Sequence, residues 1–137
     1  MTSKVQYVGE LRTICEHINS NSQIETDAPT DNNGKGDRFS PTDLVATSLA
    51  SCMLTIMGIV GQSSGFSIDG AKANVEKFMG TNPRRIVKIR IEIYFPDFNY
   101  SEKEKQIIRN TAKMCPVAQS LHPDIEQEII FNFKNQN

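Results

Sequence analysis

A chain of 137 residues with a formal net charge of −1 has the size of one domain, residues 1–137, able to bury roughly two thirds of its unfolded surface around one core. Its cations are scattered, with Arg84, Arg85 and Lys88 as the single dense cluster, so nothing points to a nucleic acid. The cysteines Cys15, Cys52 and Cys115 are odd in number and lack Cys-x-x-Cys spacing, which argues against a disulfide scaffold or zinc ribbon and leaves no metal or other cofactor expected.

The opening MTSKVQYVGEL alternates polar and apolar residues without the apolar h-region of a signal peptide, so the cytoplasm is the expected compartment. Residues 4–8 and 12–18 read as two strands around a Gly9-Glu10 turn, and residues 22–26 add a third. The Asp, Asn, Gly and Pro of residues 27–38 mark a loop. Ser40 then caps a helix with Pro41 at its first position, where the missing N–H costs nothing, and Asp43 near the positive end of the dipole. This helix should run to about Gln62. It carries no charge from Leu44 to Gly61, about the length of the shortest membrane span. Its Thr, Ser and Cys residues, and the lack of an aromatic belt, favour a fully buried central helix over a membrane segment.

Residues 67–79 and 85–95 read as a long hairpin around GTNP, with Val87, Ile89, Ile91 and Ile93 on one face. Ser101 caps a second helix that ends near Met114, because Pro116 cannot continue it. Residues 115–121 make a short helix, and residues 125–133 a closing strand. Together these elements predict an α+β domain with helices packed on a mainly antiparallel sheet.

A thiol reacts as its thiolate, which is a minority species at neutral pH. Cys52 lies mid-helix, where the dipole offers little and burial alone opposes ionisation, so it needs a cation from elsewhere. Cys115 precedes Pro116 at the start of a helical turn, where free backbone N–H groups favour negative charge. Local physics therefore makes Cys115 the more acidic thiol. The plain alternative for Cys15 and Cys52 is simple packing, since free cysteines are commonly buried. His17 and His122 have no partner at ligand or triad spacing.

The pattern SPTDLVATSLASC, then an apolar helix, a long hairpin and MCPVAQSL, resembles the OsmC/Ohr family of osmotically inducible and organic hydroperoxide resistance proteins, closest to its OsmC-like branch. The resemblance covers nearly the whole chain and implies an intertwined homodimer acting as a thiol peroxidase. In such an enzyme Cys52 attacks the peroxide and becomes a sulfenic acid, Cys115 condenses with it to a disulfide, and a dithiol reductant reopens the bond. It also implies an arginine, Arg38 or Arg12, and a carboxylate, Asp43, beside the reactive thiol. The hydroperoxidases proper carry Glu directly after the helix-opening proline. Here Thr42 holds that place, and Asp43 follows it. Nine residues separate Asp43 from Cys52, about 13 Å along a regular helix and nearly opposite faces, so the carboxylate would have to act across a dimer interface. Two other functions fit the same sequence. One is a non-catalytic module binding a small apolar ligand or reactive sulfur species, and the other is a structural dimer whose thiols only pack.

Overall fold

The first hairpin turns at Glu10 and Leu11, one position later than the sequence suggests. Both take positive φ, 54° and 62°, the two-residue pattern whose twist matches the flanking strands. The computed structural model describes residues 1–134, which divide into two compact units, the first ending at Val45 and the second starting at Ala46. In the first unit, β1 (Ser3–Gly9), β2 (Arg12–His17) and β3 (Gln23–Asp27) form an antiparallel sheet in that order. A 3-10 turn at Thr30–Asn32 interrupts the loop that follows. The buried residues of this unit are polar, namely Thr26, Asp27 and Ser40, while Val5, Tyr7, Leu11, Ile24 and Phe39 stay exposed.

Helix α1 (Pro41–Ser64) begins in the first unit and carries the second. It buries Ala46, Leu49, Ala50, Met53, Met57 and Gly61, the three- and four-residue spacing of a single helical stripe. The expected all-round burial is absent within one chain, because Val45 and Ile59 are exposed. By length and composition α1 could span a membrane, but its stripe belongs to the apolar cluster of the second unit.

That cluster rests on a second three-stranded sheet, β4 (Lys72–Gly80), β5 (Arg85–Tyr94) and β6 (Glu126–Asn132), with β5 central. β4 pairs antiparallel and β6 parallel to β5. The parallel pairing requires a crossover, supplied by α2 (Glu102–Ala112) and α3 (Pro116–Ser120). Ile89, Ile91 and Ile93 are fully buried. Val87 does not join them. A register shift pairs Phe78 with Lys88 and Met79 with Ile86, so Ile86 turns inward and Val87 outward at a bulge. β4 also starts at Lys72 rather than at residue 67. The intervening residues form a turn in which Asp69 N–H donates to Ser67 Oγ and Ala71 N–H to the Ile68 carbonyl. Gly70 takes φ +92° there.

Candidate thiol site

Cys52 flanks the buried stripe of α1, half-buried and packed against the apolar cluster. Cys115 lies at the N-cap of α3 with non-helical backbone angles, φ −58° and ψ 127°, and Pro116 follows at the first helical position. The proline cannot continue α2, and the Gln119 N–H donates to the Cys115 carbonyl to close the new turn. The crossover thereby drives Cys115 into the core, where it has no exposed surface. There its side chain interacts with that of Cys52, thiol to thiol, and both cysteines are free.

This environment corrects the expected acidity of Cys115. Burial pushes its thiol above the ordinary value, and the interaction with Cys52 pushes the same way. The backbone N–H groups of Ala118 and Val117 favour the thiolate, as the helix start suggests, but their effect is smaller. Loss of solvation outweighs the few dipoles that a five-residue helix can aim at the sulfur. Burial thus opposes ionisation of Cys115 despite its place at a helix start.

The other residues singled out by sequence belong to the first unit, and each is engaged there. Arg38 is half-exposed and donates from Nε to Glu25 Oε2 at 2.9 Å and from Nη1 to the Asp37 carbonyl at 3.0 Å. Arg12 donates from Nε and Nη2 to the two oxygens of Asp27 at 2.7 and 2.9 Å. Asp43 closes a reciprocal cap with Ser40. Its carboxylate accepts the Ser40 N–H at 2.9 Å, and its own N–H donates to Ser40 Oγ at 3.0 Å. The charge that the resemblance assigns to the thiol is here bound to its own helix start.

Asp27 is the residue that sequence reasoning missed. It is 2 % exposed and accepts from Arg12 and from the Asp37 N–H at 3.1 Å. These contacts hold its carboxyl below the usual aspartate value, Arg12 contributing most, and they raise the Arg12 guanidinium in turn. The signal was available, because opposite charges sit at the two ends of the hairpin that pairs Arg12 with Asp27. Of the histidines, His17 Nδ1 meets Ser20 Oγ at 2.7 Å, and His122 Nδ1 accepts the Asp124 N–H at 3.0 Å. Among the described residues no three His, Cys, Asp or Glu side chains gather as a metal site.

The model of the OsmC-like protein family matches residues 34–129, a span that includes both site cysteines. The chain belongs to this family. An osmotic stress induced and detoxification response protein of Psychrobacter arcticus, so described provisionally, is 52% identical over 96% of each chain, with a TM-score of 0.92. An organic hydroperoxide resistance protein OsmC of Legionella pneumophila shares the fold at 14% identity, over 96% of this chain and 97% of the other, with a TM-score of 0.75. One of Elizabethkingia anophelis does so at 15% identity, covering 98% and 97%, also with a TM-score of 0.75. No curated protein matches the chain. Membership of the OsmC-like family bears out the α+β fold and the resemblance read from the SPTDLVATSLASC and MCPVAQSL segments.

Proposed function

We propose that this OsmC-like protein is a thiol-dependent peroxidase that reduces organic hydroperoxides. The observation that carries the proposal is the meeting of Cys52 and Cys115, 63 positions apart in sequence, as free thiols inside one unit. The Cys52 thiolate attacks the outer oxygen of the hydroperoxide. The O–O bond breaks, the alkoxide takes a proton and leaves as the alcohol, and Cys52 is oxidised to the sulfenic acid. The Cys115 sulfur then displaces the hydroxyl as water, giving the Cys52–Cys115 disulfide. An external dithiol reduces that bond by exchange and is itself oxidised. The proton lost from the Cys115 thiol leaves with the hydroxyl as that water.

The working form in this proposal is a homodimer. Two surfaces support it: α1, of whose most apolar 18-residue stretch only a third is buried, and the exposed Val5, Tyr7 and Ile24 of the first sheet. Apolar surface of this extent is the kind that a second copy covers. Across that interface a second copy supplies Arg38 or Arg12, with Asp43, to stabilise the Cys52 thiolate. Each tenfold gain in thiolate requires about 1.4 kcal/mol of preferential stabilisation.

Intact-mass measurement after one equivalent of cumene hydroperoxide tests the chemistry. The expected product has lost two hydrogens, and neither Cys52→Ser nor Cys115→Ser forms it. Cys115→Ser should instead leave a trappable sulfenic acid on Cys52. An unchanged mass in the reduced wild-type protein would refute the peroxidase reading and favour a binding module. A monomer in sedimentation at micromolar concentration would remove the partner's role.

A further inference from the structure

Away from the thiols, the chain that leaves α1 and the chain that enters α2 line an open pocket of about 290 Å³. Its lining is Gly65, Phe66, Ser67, Phe98, Tyr100 and Glu104. Three of the six are aromatic, one is a carboxylate, and none is a cation.

The rings are held in place. A Cβ on Gly61 would come within 2.7 Å of the Phe66 carbonyl and 3.2 Å of its ring, so the glycine lets Phe66 fold back against the end of α1. The Tyr100 hydroxyl donates to the Ser67 carbonyl at 2.7 Å. Asn99, between Phe98 and Tyr100, takes φ 52°, and the two rings meet with centroids 6.3 Å apart. Tyr100 stands at 89° to Phe66 and 63° to Phe98. Rings so inclined form a corner rather than a stack. Phe98, at the rim, remains 52% exposed.

The charge around this corner is negative. Glu104 accepts the Ser101 N–H with Oε1 at 2.9 Å. Burial raises the Tyr100 hydroxyl above its usual value, and the charges of Glu104 and Asp69 add to the rise. The nearby Lys105 points elsewhere, to Glu102 and over the Phe133 ring.

We propose that this aromatic corner is a binding site for a small, free methylated ammonium ion. Ring faces present negative potential and tolerate a weakly hydrated cation that would not give up hydrogen bonds on entering. A carboxylate at the edge adds charge without demanding a hydrogen bond from the ligand. The volume sits at the small end of ligand pockets, which suits a headgroup-sized molecule.

The test is a two-dimensional NMR titration of the full chain with choline, run beside 3,3-dimethylbutan-1-ol, which has the same shape without the charge. Choline should give saturable shifts at Gly65, Phe66, Ser67, Phe98, Tyr100 and Glu104, and the neutral analogue should give none. Phe98→Leu keeps the apolar bulk but not the ring, and should weaken choline binding about tenfold with no change in melting temperature. Equal binding of the neutral analogue, unsaturable choline shifts, or full affinity in Phe98→Leu would each overturn the proposal. So would capture of the chain by phosphatidylcholine vesicles without binding of free choline, which would make the site a membrane contact.

Discussion

Arg12 grips Asp27 with two hydrogen bonds, at 2.7 and 2.9 Å, across the β2–β3 pair. In an unfolded chain an aspartate titrates near 3.9, whereas here Arg12 holds it lower. The stabilisation is therefore complete above the unfolded value and is lost as pH falls through the lower folded value. Wild-type protein should lose stability to denaturant below about pH 4. Asp27→Asn should be less stable at neutral pH and show a weaker dependence on acid. Equal acid slopes for the two proteins would show that the pair does not control this limb.

Cys115 yields a prediction of the opposite sign. Burial first, and Cys52 second, raise its thiol, so the ultraviolet thiolate absorbance that Cys115→Ser removes should appear with a midpoint above the ordinary value of about 8.5. Replacing Cys52 by Ser removes the smaller contribution and leaves burial, so the midpoint should fall only part of the way. The difference between the absorbance titrations of the variants with and without Cys115 reads this directly, and a midpoint below that of a free thiol would contradict the burial argument.

The contrast between these two residues marks what could be read from sequence. Strand alternation, caps and the Pro41 and Pro116 positions located nearly every element, because each is a local preference of the backbone. The pairing of Cys52 with Cys115 came only with the family resemblance, since no local rule joins positions on α1 and α3. The acidity of Cys115 was misjudged because a helix start can be seen in sequence, whereas the depth at which the crossover buries it cannot. Val87 was misplaced for a similar reason. Alternation predicts its face correctly unless the partner strand loses register, and that loss is set by the pairing of Met79 with Ile86.

The same bulge makes Gly80 sensitive to substitution. A Cβ at Gly80 would lie 2.6 Å from Val87 Cγ1, closer than side chains pack, so Gly80→Ala should destabilise the protein by about 1–3 kcal/mol. Val87 is 39% exposed, so Val87→Ala alone should cost much less. The double variant should recover most of the loss, because it removes the colliding methyl. Thermal unfolding of the three variants forms a closed cycle, and strictly additive effects would mean that the strain arises elsewhere.

Asp43 is open to two roles, and two substitutions separate them. Its carboxylate accepts the Ser40 N–H at 2.9 Å, a bond that an amide oxygen can replace but a methyl group cannot. Asp43→Ala should therefore cost about 0.5–2 kcal/mol of stability, and Asp43→Asn much less. If the carboxylate also serves the Cys52 thiolate across a dimer, removing its charge should slow hydroperoxide consumption in Asp43→Asn even though the melting temperature is nearly unchanged. A slow but stable Asn variant assigns Asp43 to the chemistry. Full-rate consumption in Asp43→Asn, beside lost stability in Asp43→Ala, leaves it as a helix cap whose negative charge the reaction does not use.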